Sequence, residues 1–203
     1  MPVLYEYPPT RSQRTKWVLE ELEIEYESHL VNLPNGDQNQ PEYRSIHPLG
    51  VLPAFQTDGY TMLESVATIL QLIDENQSQG LAPAIGTKER AQYYQWCIFG
   101  CAELDIHIQT ITQHEILLPE GRRDPDRAKR ARALFAERGL MLSNHLSDKS
   151  YILGDQFSGA DIVLGYNCYW ASFSNLLQDF PVLQNYLERL SQRAAYQRAF
   201  PSM

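Results

Sequence analysis

Pro48-Leu49-Gly50-Val51-Leu52-Pro53-Ala54-Phe55-Gln56-Thr57-Asp58-Gly59-Tyr60-Thr61-Met62-Leu63-Glu64-Ser65 is the stretch whose reading decides the fold. At its centre Asp58-Gly59 joins residues 52–57 to residues 60–63 as a two-residue hairpin, because Asp-Gly accepts the positive φ angles such a turn requires. Ser65 then opens a helical pattern running to about residue 76. Upstream, Val3-Leu4-Tyr5-Glu6-Tyr7 is β-branched and aromatic and is stopped by Pro8-Pro9. Residues 12–22 change to a helical period, with Trp17, Val18, Leu22 and Ile24 on the apolar face and Glu20, Glu21 and Glu23 largely outside. Residues 26–33 read as a second strand, and Pro34-Asn35-Gly36-Asp37 as a turn. The order is therefore β-α-β-(short helix)-β-β-α over residues 1–78.

Residues 79–86 form a linker by composition, and residues 87–203 show recurrent helix starts without a convincing strand. Thr87 caps one helix; Asp124-Pro125 sets a capping acid before a proline at the first helical position; Pro181 begins another. Ser158-Gly159-Ala160-Asp161 is a capping-box arrangement ahead of Ile162-Val163-Leu164. Strands followed by helices across a Gly/Pro-containing linker predict an α/β domain and an all-α domain.

The chain has 203 residues, 43% hydrophobic and 21% charged, enough for full-sized cores. A formal net charge of −8 gives an average field that repels nucleic acid and anionic lipid, so neither is expected as a partner. The basic residues between Arg122 and Arg132 are interleaved with acids and read as a solvated helix face. Three cysteines, Cys97, Cys101 and Cys168, do not make a secreted disulfide scaffold, and there is no apolar run long enough to span a bilayer. A cytoplasmic protein is expected. Cys97 and Cys101 lack the further ligands of a zinc site and read as small hydrophobes, so no metal is expected.

Three motifs in this order resemble the cytosolic glutathione transferase family, bacterial type, over nearly the whole chain. They are Pro9-Thr10-Arg11-Ser12-Gln13 leading into the first helix, Pro48 to Pro53 running on to Glu64-Ser65, and Tyr151-Ile152-Leu153-Gly154-Asp155-Gln156-Phe157-Ser158-Gly159-Ala160-Asp161-Ile162. The resemblance implies an N-terminal thioredoxin-like domain with a mixed four-stranded sheet, a C-terminal helical bundle, a homodimer, and no cofactor beyond glutathione as co-substrate. It implies a cis bond before Pro53 and main-chain pairing of Leu52 with the tripeptide. It places Glu64 at the ammonium and Ser65, on a helix N-terminus, at the carboxylate of the γ-glutamyl end. Val51 stands where many relatives carry lysine or glutamine, removing a polar contact.

The implied reaction is conjugation of the glutathione thiolate to a small hydrophobic electrophile in detoxification; the alternative is a family-like binding or scaffold protein with little catalysis. A thiol with a pKa near 8.5 is only a few per cent thiolate at pH 7, and lowering it by two units requires about 2.7 kcal/mol. Three neighbours are candidates for that task. Thr10 stands where similar bacterial sequences have serine, and also reads as the cap of a box closed by Gln13. Arg11 falls where the beta class has cysteine, and Ser12 is the next hydroxyl. Tyr5 and Tyr7 share a strand face and read as packing residues. In the helical domain Tyr93, Trp96 and Gly100 fall at helical spacing; they read either as an open aromatic stripe lining the electrophile pocket or as core.

Overall fold

The computed structural model describes residues 1–200. It divides into two compact units, one formed by residues up to Ala82 together with Gln192 to Phe200, the other by Pro83–Ser191. The first contains β1 (Val3–Glu6), α1 (Ser12–Glu21), β2 (Glu27–Leu30), a 3-10 turn (Asp37–Asn39), the single-turn α2 (Pro41–Arg44), β3 (Ala54–Thr57), β4 (Tyr60–Leu63) and α3 (Ser65–Glu75). The strands lie in the order β2-β1-β3-β4, with β1 parallel to β2 and antiparallel to β3, and β3 antiparallel to β4. This is the mixed four-stranded sheet the sequence predicts. Gly59 has φ +109 in the hairpin turn.

Strand alternation divides the residues of β1 between the two faces of the sheet. Leu4 stands opposite Phe55, and both are buried with Trp17, Val18, Ile69 and Ile73. Glu6 is buried as well; its Oε1 accepts from Lys16 Nζ at 2.7 Å and Ser28 Oγ at 2.5 Å.

The domain division read from the sequence needs correction at its C-terminal end. The segment after Ser191, with α9 (Ala194–Ala199), packs on α1 rather than within the helical unit. Trp17 meets Tyr196 and Phe200 edge-on at 4.9 and 5.6 Å between ring centroids. Arg193 donates to both carboxylate oxygens of Glu21 at 2.7 Å, and Arg198 donates to Glu20. Glu21 also accepts from Trp17 Nε1 at 2.9 Å. Glu20 and Glu21 are thus not a solvated face: bidentate charge-assisted bonds of this kind join segments far apart in the chain.

The second unit contains α4 (Lys88–Phe99), a π-helical turn (Gly100–Leu104), α5 (Asp105–Thr112), a second π turn (Gln113–Leu117), α6 (Pro125–Leu146), α7 (Gly159–Ser172) and α8 (Pro181–Ser191). Thr87 Oγ1 accepts from Arg90 N at 3.1 Å, and Asp124 Oδ1 from Arg127 N at 2.9 Å, so both sequence-predicted caps form. Asp161 does more than cap α7. Oδ1 accepts from Ile152 N and Tyr186 Oη, and Oδ2 from Ser158 N and Ser158 Oγ, all within 3.1 Å. Burial pushes this carboxyl up to about 6, while the four donors favour its charged form. Removing it strands buried donors from three chain segments. We expect Asp161→Ala to lower unfolding free energy by about 3 kcal/mol in urea titration; a loss below about 1 kcal/mol contradicts this account.

Candidate functional site

The sheet register brings three loops to one end. Tyr5 pairs with Ala54, and Ala54 with Leu63. The loop leaving β1, the loop entering β3 and the turn from β4 into α3 therefore meet beside one another. They carry Thr10-Arg11-Ser12, Val51-Leu52-Pro53 and Glu64-Ser65 respectively.

In the first loop a hydroxyl pair is the organising feature. Ser12 is fully buried; its Oγ accepts from Tyr7 N at 3.2 Å and lies 2.8 Å from Thr10 Oγ1. Ser12 N donates to Thr10 Oγ1 at 3.3 Å. Thr10 and Arg11 are half-buried. The capping box with Gln13 does not form: Arg11 occupies the cap position in helical conformation, and Gln13 Nε2 donates to Ala199 O instead. The C-terminal segment has captured the side chain that a local reading assigns to Thr10. The Pro8–Pro9 bond is cis, a feature the sequence reading did not name.

In the second loop the Leu52–Pro53 bond is cis. Leu52 N–H and C=O make no hydrogen bond among the described residues, although β3 begins two residues later. Three contacts hold the loop in place. Tyr43 Oη donates to Val51 O at 2.7 Å, Arg44 Nη1 donates to Pro48 O at 2.7 Å, and Gly50 N donates to His47 O at 2.8 Å. Gly50 has φ +60, and a Cβ there would lie 2.5 Å from Gln38 O, so the position admits glycine alone. The Val51 side chain is exposed.

The third loop holds the one conformationally costly residue of the site. Glu64 has φ +69 and ψ +106, a region that costs a side-chain-bearing residue about 1–3 kcal/mol. Thr68 fixes it, donating from N at 3.0 Å and Oγ1 at 3.1 Å to Glu64 O. The Glu64 carboxylate is exposed and makes no hydrogen bond among the described residues. Ser65, the first residue of α3, is buried but for 4% of its surface, and its hydroxyl has no partner within the described residues. Together the loops offer an unpaired main-chain edge, a helix N-terminus with a spare hydroxyl, a spare carboxylate and a hydroxyl pair. A zwitterionic peptide needs those groups for its backbone, carboxylate, ammonium and thiol.

Residues 3–75 match the family model described as glutathione S-transferase, N-terminal domain, and residues 125–189 the one described as glutathione S-transferase, C-terminal domain. The chain belongs to the glutathione transferase family. It is 28% identical to glutathione S-transferase F10 of Arabidopsis thaliana, over 96% of this chain and 94% of that one. It is 26% identical to probable maleylacetoacetate isomerase 2 of Drosophila melanogaster, over 99% and 88%. Among solved structures it superposes with TM-score 0.87 on a glutathione transferase from Burkholderia graminis with two glutathione molecules bound per subunit, at 27% identity, covering 98% of this chain and 86% of that one.

Not every candidate from the sequence falls in this glutathione transferase's cleft. Gly100 is a close helix contact and no opening, since a Cβ there would lie 2.5 Å from Val163 Cγ1 and 2.9 Å from Asn167 Oδ1. Trp96 is buried against His145, with ring centroids 4.3 Å apart, and Tyr93 is fully buried. The open stripe is not formed by these three residues; of the two sequence readings, core is the one realised. Conversely, Tyr43, Arg44 and His47 were missed. His47 had no local signal, yet only 3% of it is exposed and its Nδ1 is buried without a hydrogen-bond partner among the described residues.

Burial lowers the His47 pKa below its ordinary 6.5, against the opposing pull of Glu64. A histidine depressed in this way stabilises the fold above its unfolded value, and that contribution is lost as pH falls through the folded value. We expect stability to fall between pH 7 and pH 5 more steeply in the native chain than in His47→Asn, by urea midpoints. Equal slopes contradict the assignment.

Proposed function

We propose that this glutathione transferase conjugates the glutathione thiolate to a small hydrophobic electrophile, with Thr10 as the hydroxyl that stabilises the sulfur anion. The Thr10–Ser12 pair carries the reading. The Ser12 hydroxyl proton has two acceptors in reach, Thr10 Oγ1 at 2.8 Å and Tyr7 O at 3.5 Å; given to the nearer, it leaves Thr10 Oγ1 receiving both Ser12 N–H and Ser12 O–H, fills its acceptor capacity and leaves its own proton to point at a ligand. Ser12, fully buried, then positions Thr10 without touching sulfur. Arg11, half-buried beside it, adds positive field.

Leu52 would pair its free N–H and C=O with the cysteinyl backbone, as a strand added to the sheet. Ser65 and the α3 N-terminus would take the γ-glutamyl carboxylate, and Glu64 the ammonium. Val51 would contribute its backbone and an apolar side chain, without the polar contact of many relatives. In the chemical step the sulfur lone pair forms a bond to the electrophilic carbon. With an aryl halide, the halide leaves with the bonding pair. The rate gain comes from a larger thiolate fraction and from fixing the thiol in place. A homodimer joined through the helical unit fits the exposed apolar residues Tyr94, Ile98, Leu140 and Met141 on α4 and α6.

Steady-state kinetics with a chromogenic aryl halide and an isothiocyanate test this reading. Thr10→Ala should lower kcat/KM about 10- to 1,000-fold and move the acidic limb of the pH profile upward. Glutathione should still bind, because its ends are held elsewhere. Activity within twofold of the native chain contradicts the role of Thr10. Tight glutathione binding without turnover of any electrophile would favour a binding protein instead.

A further inference from the structure

A second cleft lies in the first unit, between α2 and the part of the sheet that carries Tyr5 and His29. Its volume is about 320 Å³, at the lower end of small-molecule sites, which span about 300–1,000 Å³. No residue assigned to glutathione lines it. Three aromatic rings do: Tyr5 lies 4.9 Å from His29 and 5.8 Å from Tyr43 between centroids. The two phenol oxygens are engaged by the protein, Tyr43 Oη on Val51 O and Tyr5 Oη on Gln56 Oε1 at 3.4 Å. The rings are therefore what these residues offer a guest, chiefly those of the half-buried Tyr5 and the exposed His29, because Tyr43 is buried and its ring stacks on His47 at 6.4 Å between centroids.

The charges on the walls have one sign. Asp37 and Glu42 line the cleft, and among the described residues neither lysine nor arginine does. Asp37 accepts from Asn35 Nδ2 at 2.7 Å and Asn32 N at 3.2 Å, both neutral donors, so its charge is not cancelled by a cation there. Glu42 is exposed at the start of α2; its carbonyl accepts from Ser45 Oγ at 2.7 Å, but its carboxylate makes no hydrogen bond or ion pair among the described residues. Aromatic faces with an uncompensated pair of carboxylates form an environment that attracts a cation and repels an anion. Glutathione carries net negative charge, so its cleft and this one select opposite signs.

We propose that this cleft is a binding site for an organic cation, a quaternary or protonated amine on a compact apolar body, separate from the glutathione site. Tyr5, His29 and Tyr43 surround the cationic head, and Glu42 and Asp37 supply the charge. Calorimetric titration of the full chain, with and without saturating glutathione, tests it. The probes are benzyltrimethylammonium, its neutral isostere neopentylbenzene, and phenylmethanesulfonate.

The cation should bind saturably and about tenfold or more tightly than neopentylbenzene, and the sulfonate should not bind. Glu42→Gln, an exposed substitution, should weaken the cation about threefold or more, and Tyr5→Leu should weaken it similarly. Saturating glutathione should change the affinity less than twofold. Equal affinity for cation and isostere, an unaffected Glu42→Gln variant, or displacement by glutathione would overturn the proposal.

Discussion

The antiparallel pairing of β1 with β3 is the constraint on which the site depends. Leu4 opposite Phe55 buries two large side chains on one face of the sheet, each worth about 1.5–3 kcal/mol. A slip of one residue would put Leu4 and Phe55 on opposite faces of the sheet, so burial of both pins the register. With the register fixed, the chain leaving β1 runs past the segment entering β3 and, through β4, past the turn into α3. The hydroxyl pair, the free peptide edge and the α3 N-terminus cannot then fail to converge.

What surrounds this end of the sheet is directed at keeping polar groups available. The loop before Leu52 is fastened at Pro48, Gly50 and Val51, all upstream, so that Leu52 itself stays unpaired. Glu64 is held in an unfavourable conformation by Thr68 on its carbonyl, which leaves its carboxylate unused. Tyr43 belongs to two settings at once: it lines the aromatic cleft and its hydroxyl holds Val51. The same side chain thus links the proposed cation cleft to the loop proposed to pair with the peptide.

Much of this was legible because it is encoded locally. Asp58-Gly59 names its own hairpin, Thr87, Asp124 and Ser158 name their helix starts, and Pro48-Leu49-Gly50-Val51-Leu52-Pro53 with Glu64-Ser65 names two of the loops that meet at one end of the sheet. The remainder depends on contacts between distant segments. Glu20, Glu21 and Gln13 look like an ordinary exposed face and cap until Arg198, Arg193 and Ala199 arrive from the far end of the chain. Nothing in the local sequence marks Ser12 as covered, yet it is fully buried and Tyr7 N donates to its hydroxyl. Trp96 and Gly100 have a spacing that suits a pocket or a core equally, and only the presence of α7 and His145 decides between them.

The central claim is that an α3 N-terminus facing a free strand edge holds the tripeptide by its γ-glutamyl end. Titration calorimetry of glutathione against the native chain and Ser65→Ala tests it most directly. The account predicts saturable binding to the native chain, weakened about tenfold or more when the hydroxyl is removed. Equal affinity in the two proteins, or no binding to the native chain, would contradict it.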